Sequence, residues 1–309
     1  MNDSKTVVAG YDGSVEAAQA VRWAATQACR RNARLLLVHC SLWPLVTTDL
    51  GPVPGVADSG LERSAQITLE EGLAHARHAE PDLNIQTELP YGWPTAHLVK
   101  LSAGKELLVV GSRGLGGFMG LLVGSVSLEL AATAACPVAV IRSNDHPEGP
   151  VIVAVDESGS PTALEDACTM AASAQTSLTI IHVQHTPAGY RQVREPLDAH
   201  SAAQEVLQTA LKTARSLAPA VSVQRKLLTD TSIPRAIIRA SGSAQIIVVG
   251  TKGHGVVRGT IGSTAHAVLH HSHGPVLVSR RTTMPHSTQE QHNSDSSTAK
   301  TVTSPGDLP

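Results

Sequence analysis

Residues 91–114 read YGWPTAHLVKLSAGKELLVVGSRG, and residues 231–253 read TSIPRAIIRASGSAQIIVVGTKG. Each stretch has a proline near its start, then a helical run, a short apolar strand and a glycine turn. Proline is favoured in the first turn of a helix, and the runs LLVV and IIVV are apolar on both faces, as in a buried parallel strand. Helix followed by parallel strand predicts an α/β fold, and its recurrence predicts two copies of it.

Three further pairs of segments repeat in the same order along the chain. KTVVAGYDGS near residue 5 matches PVIVAVDESGS near residue 150, RLLLVHC matches SLTIIHV, and CPVAVIR matches GPVLVSR. In the first half the pattern predicts strands at 6–10, 34–40, 84–89, 107–111 and 137–142, and helices at 14–31, 60–79, 95–103 and 125–135. We therefore predict two tandem, doubly wound, Rossmann-like α/β domains, each with a five-stranded, mainly parallel sheet.

The predicted domains span residues 1–145 and 148–281, joined by a linker near NDHPEGP, 144–150. From residue 282 to 309 the chain is polar, rich in Ser and Thr, and has no apolar period. This composition predicts a disordered tail.

Composition excludes several classes of protein. The 309 residues include 24 Lys and Arg against 26 Asp and Glu, which argues against nucleic acid as a partner. No apolar run is long enough to span a bilayer, and the start lacks a signal-peptide pattern. The cysteines are too widely spaced for a zinc site or a disulfide framework; they are Cys29, Cys40, Cys136 and Cys168. We expect a cytoplasmic, reduced protein that does not associate with membranes.

The main chemical signal is GSRGLGGFMGLLVGSVS, residues 111–127, which follows a predicted strand and leads into a helix. Glycine lets backbone N–H groups approach an anion, and a helix N-terminus presents more of them. Ser125 is the natural N-cap of that helix, with a hydroxyl that can turn to a phosphate. Asp12, at the end of another strand, belongs to the same sheet edge, which favours a nucleotide site. Two alternatives remain: the glycines only allow a tight crossover, and Asp12 caps the helix that starts near Ser14.

Two common nucleotide motifs are excluded. No Gly-Lys-Ser/Thr follows the loop, so it is not a Walker A loop. The first strand ends in GYDGS, whereas a dinucleotide fingerprint would place its glycines there.

The loop resembles the ATP-binding branch of the universal stress protein family, and the likeness extends over residues 5–281. It rests on Gly111, two residues, Gly114, nine residues and Gly124-Ser125, with the strand ends GYDGS and CPV. The resemblance implies a protein that binds ATP, with Mg²⁺ arriving on the phosphates. It implies that Asp12 approaches the ribose and adenine and that backbone groups around His39 and Cys40 read the adenine edge. The full set of implied contacts is Gly10, Asp12, Cys40, Gly111, Ser112, Arg113, Gly114, Gly117, Gly124, Ser125, Val126 and Ser127, with Asp156, Val183, Gly250, Gly253, Gly262 and Ser263 in the second half.

The second half departs from this motif. Eight residues instead of nine separate Gly253 from Gly262, and Ala154 stands in place of Gly10. A shorter loop displaces its N–H groups relative to the helix end. We therefore expect the first half to bind ATP more tightly.

The resemblance implies a stress-response regulatory protein rather than an enzyme. The family dimerises through its last strand, and two fused halves can make that pairing within one chain or again between chains. A slow ATPase, an adenylyl-transfer enzyme on the same fold, and a ligand-free interaction module are the alternatives. No His-x-Gly-His cluster supports adenylyl transfer. The histidines at 271 and 273 lack an acidic or cysteine partner for a metal, and Lys252 and His254 either touch phosphate or are solvated.

Overall fold

The computed structural model describes residues 5–41, 60–115, 122–143, 146–186, 197–251 and 260–280. The predicted tail lies outside these residues. Strands and helices alternate as the sequence predicts, and most first-half elements begin and end within two residues of the predicted limits. Those elements are β1 (Thr6–Gly10), α1 (Val15–Arg30), β2 (Arg34–Val38), α2 (Gly60–Ala79), β3 (Ile85–Glu88), α3 (Pro94–Leu101), β4 (Leu107–Gly111), α4 (Ser125–Thr133) and β5 (Val138–Ile141).

The second half repeats this order of elements. It contains β6 (Val151–Val155), α5 (Pro161–Ala174), β7 (Leu178–His185), α6 (Leu197–Leu217), β8 (Val223–Asp230), α7 (Ile233–Ser241), β9 (Ile246–Gly250), α8 (Ser263–His271) and β10 (Val276–Ser279). Strand alternating with helix produces a parallel sheet in each half, which confirms the predicted fold class.

The two half-sheets join into a single ten-stranded sheet in the order β3-β2-β1-β4-β5-β10-β9-β6-β7-β8. All pairs within a half are parallel. At the junction β5 and β10 are antiparallel, with Leu277 opposite Ala139. The pairing of last strands is therefore made within the chain, and β3 and β8 form the outer edges.

Helices cover both faces of the sheet. On one face α1, α2, α5 and α6 pack over a core that includes Leu35, Leu37 and Met170. On the other face α3, α4, α7 and α8 pack over a core that includes Leu108 and Val276. Both cores run across the junction, so the halves share apolar packing. With 2% aromatic residues, this core is built from Ala, Val, Leu and Ile.

The junction also contains a half-buried polar contact between the halves. Arg142 follows β5 and donates from Nη1 to the Ser272 carbonyl at 2.7 Å and from Nη2 to the Leu269 carbonyl at 2.6 Å. These carbonyls belong to the C-terminal end of α8, where backbone acceptors lack helical partners. Burial, and then the charge of Arg113, lower the pKa of Arg142 to about 10.

Among the described residues, the helices are all too short or too polar to cross a membrane. The four cysteines carry free thiols.

Candidate ligand-binding site

The glycine loops begin and end with the same backbone hydrogen bonds in both halves. In the first half Gly124 donates its N–H to the Ser112 carbonyl at 2.7 Å, and in the second Gly262 donates to Thr251 at 2.9 Å. Both loops are therefore closed by the same bond despite the one-residue difference in length. Residues 252–259 lie outside the described residues, so the expected displacement of the N–H groups in the second loop stays a prediction.

The residues that cap the helices after these loops are the glycines. Gly124 has φ −75° and ψ 156°, Gly262 has φ −66° and ψ 152°, and neither helix has a side-chain cap. Ser125 is thus the first helical residue, and its prediction as the N-cap is wrong. The first intrahelical bond runs from Leu128 N–H to the Gly124 carbonyl. The earlier N–H groups have no partner within the helix and are suited to a phosphate.

Asp12 is held between the first turn of α1 and the glycine loop. Its Oδ1 accepts from the Ser14 backbone N–H at 3.0 Å and from Ser14 Oγ at 2.6 Å, and its Oδ2 accepts from the Leu115 N–H at 3.1 Å. Ser14, which accepts from the Ala17 N–H at 3.2 Å, is the N-cap. The alternative that Asp12 itself caps the helix is wrong, because Asp12 positions the residue that does.

The arginine of the first loop is paired with helix α1. Arg113 donates from Nη2 to Glu16 Oε1 at 2.6 Å, and its carbonyl accepts from Ser14 Oγ at 3.3 Å. Both groups of this ion pair are partly exposed, so its contribution to stability is small, about 1 kcal/mol or less. The start of the loop is therefore fastened to α1 by Arg113 as well as by Asp12.

The glycines of the first half have different structural roles. A Cβ on Gly111 would lie 2.8 Å from the Ala17 nitrogen, so this glycine lets β4 pack against α1. A Cβ on Gly114 would overlap Asp12 Oδ2. A Cβ on Gly10 would point at apolar side chains, 3.3 Å from Leu98 Cδ1. The interpretation of Gly10 as a point of close backbone approach to ligand is not supported by this contact.

Asp156 occupies a longer turn than Asp12. Its partner Ser160, the N-cap of α5, is four residues away, whereas Ser14 is two residues from Asp12. Asp156 Oδ1 accepts from Ser158 Oγ at 2.6 Å and from Ser160 Oγ at 3.0 Å. Burial raises the pKa of Asp156, but the hydrogen bonds from the two serines outweigh burial and hold this pKa below its ordinary value. Its Oδ2 makes no hydrogen bond to the described residues.

A cavity of about 1130 Å³ opens at the carboxyl ends of β6, β7 and β9. Open α/β sheets bind ligands at this edge, and the volume is at the upper end of the range for small-molecule sites. The structure brings most of the second-half residues predicted from the sequence into its wall; they are Asp156, Val183, Gly250, Gly262 and Ser263. Ala154 also lies in the wall, with Ile233 and Ile237 on the apolar side.

The end of β2 presents backbone groups to the same edge in the first half. His39 and Ser41 donate their N–H groups toward β3, whereas Val38 accepts on the opposite side from the Tyr11 N–H at 2.9 Å. Alternate residues of a parallel strand bond to alternate neighbours. The backbone N–H and C=O groups of Cys40 therefore point toward the β1 side of β2, at a position beyond the end of β1. Burial raises the pKa of its thiol to about 11, so the side chain stays neutral.

The same alternation applies at the end of β7. Leu178 and Thr186 donate their N–H groups on the β8 side, which turns Val183 toward β6, whose last paired residue is Val155. Val183 is thus placed in the second half as Cys40 is in the first, in agreement with the pairing expected from the repeat.

Sequence reasoning named His39 for its backbone only, and it included neither His182 nor the imidazole side chain of either histidine. His39 Nδ1 lies 2.8 Å from the Tyr11 carbonyl, and His182 Nδ1 lies 2.9 Å from the Val155 carbonyl. His182 is also in the wall of the cavity. The repeated VHC and IHV of the two halves was the signal that could have identified these residues.

Other predicted contacts are committed to the protein or lie outside the described residues. Ser112 is buried, and its backbone closes the loop. Ser127 donates its hydroxyl to the Gly111 carbonyl at 2.7 Å, which leaves its N–H for a ligand. Gly117, Lys252, Gly253 and His254 fall outside the described residues. In the part of the chain that the structure describes, no three His, Cys, Asp or Glu side chains are grouped to hold a metal.

Comparison with known proteins identifies the family. The model of the universal stress protein family matches residues 4–142 and again 149–280. Universal stress protein Rv2005c of Mycobacterium tuberculosis is 34% identical over 291 residues, covering 89% of this chain and 97% of its own. Universal stress protein Rv2623 of the same organism is 34% identical over 307 residues, covering 90% and 97%.

A solved structure shares the whole arrangement. The crystal structure of a universal stress protein from Archaeoglobus fulgidus is 22% identical, covers 89% of this chain and 96% of its own, and has a TM-score of 0.65. At that identity the likeness concerns the fold. With the family model matched in both halves, the chain belongs to the universal stress protein family and carries two of its domains in tandem.

Proposed function

We propose that this protein is an ATP-binding regulator of the stress response, and that each half has a nucleotide site at the carboxyl edge of its sheet. The observation that carries the proposal is the second-half cavity. Its wall joins a carboxylate, a strand end with a backbone facing inward and a helix N-terminus, which are groups for ribose, base and phosphate.

The phosphate end of the site is the start of α8. Gly262 caps the helix through its backbone alone, and Ser263, Thr264 and Ala265 line the cavity. Their N–H groups precede the first intrahelical bond, from His266 to the Gly262 carbonyl. Converging N–H groups and the positive end of the helix dipole stabilise a polyphosphate. The start of α4 offers the same groups in the first half.

The ribose end of the site is the carboxylate of Asp156. Its Oδ1 is held by two serines while Oδ2 has no hydrogen bond to a described residue. An ionised carboxylate accepts hydrogen bonds from sugar hydroxyls. The depressed pKa keeps it ionised at neutral pH.

Mg²⁺ fits this site as a companion of the phosphates. Mg²⁺ keeps several waters and is held by few protein ligands when phosphates are present. The described residues contain no group of three ligands, so the donor set agrees with a metal carried by the nucleotide. When bound, Mg²⁺ would neutralise phosphate charge next to Ser263.

We propose binding without turnover. A hydrolase or adenylyl transferase needs a general base or an electrophile within reach of the phosphates. The acids and imidazoles of the described wall, such as Asp156 and His182, follow β6 or lie on β7, whereas the start of α8 contributes the hydroxyls of Ser263 and Thr264, which are not bases. Slow hydrolysis is the alternative, and phosphate release on a scale of hours would reveal it.

Isothermal titration of the full chain with ATP and Mg²⁺ tests the proposal. We expect binding with a stoichiometry of up to two, lost stepwise when each glycine loop is altered. The matched variants are Ser263→Pro, which removes an N–H at the first turn of α8, and Ser125→Pro in α4. Both helices tolerate proline at their first residue. No heat and no change in melting temperature with ATP would contradict the proposal.

A further inference from the structure

We propose that His182 selects the base in the second-half site by accepting a hydrogen bond from the exocyclic amino group of a 6-aminopurine. This assignment rests on the proposed nucleotide site and goes beyond it by naming the residue that separates adenine from 6-oxopurines. His39 is its counterpart in the first half.

The protonation of the His182 ring follows from its partner. Nδ1 lies 2.9 Å from the Val155 carbonyl oxygen. A carbonyl can only accept, so Nδ1 carries the proton and donates it. In the neutral ring Nε2 is then a pure acceptor. It makes no hydrogen bond to any described residue.

The position of His182 places this acceptor at the base end of the cavity. His182 is 8% exposed and lies in the cavity wall. The phosphate end, at Ser263, follows β9, and β7 lies two strands away in the order β9-β6-β7. Two strand spacings are about 10 Å, which leaves room for the sugar, beside Asp156, between phosphate and base.

Apolar side chains in the cavity wall increase the energetic importance of the hydrogen bond that His182 makes to a bound base. Val206 of α6 and Val183 line the cavity, and Val183 packs with Ile237 in the core on the opposite face of the sheet from Val206. A base that fills an apolar pocket gives up water, so each polar edge must find a partner there. Adenine presents an amino donor at position 6, whereas guanine and hypoxanthine present an oxygen acceptor. An acceptor facing an acceptor is unfavourable, so an imidazole that accepts at Nε2 favours adenine.

The first half repeats the same contact, which supports a role in the site. His39 Nδ1 is 2.8 Å from the Tyr11 carbonyl, at the matching position of β1 and β2. The competing explanation is that both histidines only tie the ends of adjacent strands. That explanation involves only Nδ1 and assigns no function to Nε2. The structural explanation and the base-recognition explanation can therefore be distinguished by replacing one nitrogen at a time.

Asparagine provides the matched replacement. In His182→Asn the amide N–H takes the place of Nδ1–H and keeps the bond to Val155, but nothing replaces Nε2. His182→Ala removes both. The full-length chain is titrated with ATP and with inosine triphosphate, which differs from ATP in carrying oxygen instead of the amino group. The melting temperature of every variant is measured in parallel.

We expect the wild-type chain to prefer ATP by about tenfold or more, the range for one mismatched buried hydrogen bond. His182→Asn should keep the wild-type melting temperature and bring the two affinities of the second site together. His39→Asn, made in the same way, should act on the other site only.

Three results would overturn the assignment. Equal affinity of the wild-type chain for ATP and inosine triphosphate would overturn the assignment before any variant is tested. An unchanged preference in folded His182→Asn would leave the histidine a purely structural tie. If the wild-type chain binds no nucleotide, the proposed function fails and the base assignment with it, whereas binding without discrimination removes only the latter.

Discussion

Oδ2 of Asp12 accepts a hydrogen bond from the Leu115 backbone N–H at 3.1 Å, across 103 residues of sequence. This bond joins the end of β1 to the glycine loop of the first half. In the second half the equivalent oxygen, Oδ2 of Asp156, has no hydrogen bond to a described residue. A sugar hydroxyl must displace Leu115 to reach Asp12, whereas at Asp156 it displaces no described residue; residues 252–259 of the second loop lie outside the described residues.

From this difference we expect the second half to bind ATP more tightly than the first, the reverse of the order expected from loop length. In the full chain, Asp156→Ala should remove the higher-affinity event, a loss of about tenfold or more for one charge-assisted hydrogen bond. Asp12→Ala should act on the weaker event and also lower the melting temperature, because Ser14 loses its support. Calorimetry that assigns the tighter event to Asp12 would reverse this order.

Alanine at two glycines of the first loop should separate folding from binding. A Cβ on Gly114 would overlap Asp12 Oδ2, so Gly114→Ala should cost about 1–3 kcal/mol in unfolding free energy. At Gly124 the nearest atom to a new Cβ is the Ser112 carbonyl oxygen at 3.7 Å, and φ is −75°. A methyl group there meets neither a clash nor backbone strain, so Gly124→Ala should cost at most about 1 kcal/mol, as a weaker N-cap.

The two variants are compared by urea unfolding and by ATP titration. Gly124→Ala should lower ATP affinity in the first half while the unfolding free energy stays near the wild-type value. Equal destabilisation by both variants would mean that the loop is packed differently around Gly124.

Arg142 should contribute strongly to the association of the halves. It is half-buried and donates to two carbonyls at the end of α8. Arg142→Ala leaves both acceptors without this donor, so we expect a loss of about 2–4 kcal/mol in unfolding free energy. Arg142→Lys should restore little, since an ammonium lacks the planar fork that reaches both oxygens.

Arg63 on α2 serves as the control for Arg142, because it is exposed and makes no hydrogen bond to a described residue. Arg63→Ala should change the unfolding free energy by less than about 0.5 kcal/mol. Similar effects of the two substitutions would show that the contact between Arg142 and the end of α8 adds nothing to the unfolding free energy.

His270 should make the protein less stable in mild acid. Burial, and then the neighbouring His266, His271 and Arg142, lower its pKa. Below the ordinary value of about 6.5, the unfolded chain takes up a proton that the folded state refuses, so stability falls as pH falls from there toward the lowered pKa. Above pH 7 this group has no effect on stability.

Thermal melts between pH 7.5 and 5 test this sign. The fall in melting temperature should be smaller in His270→Gln than in the wild-type chain. His78→Gln, at an exposed position of α2, should leave the pH dependence unchanged. A steeper fall in His270→Gln would show that the protonated ring is stabilised in the fold.

The amino-acid sequence by itself determined the fold class, the two-fold repeat and the edge of the sheet where the candidate site is proposed. The apolar runs LLVV and IIVV need burial on both faces, and only a covered parallel sheet supplies it. Because the two halves repeat, each residue predicted in the first half predicted a counterpart in the second. Asp156 was predicted from Asp12 in this way, and Val183 from Cys40. These properties depend on hydrophobic periodicity and on local turn chemistry, and both can be recognised from the order of neighbouring residues.

Only the tertiary structure decided how the glycine and carboxylate groups are used. Local sequence placed the N-cap on Ser125, but the helix begins after Gly124, and the bonds from Gly124 to Ser112 and from Gly262 to Thr251 close both loops alike. The engagement of Asp12 by Leu115 joins residues 103 apart. The contact from His182 to Val155 likewise bridges two strands. Such contacts depend on distances between elements that pack together, and no spacing along one strand or helix encodes them.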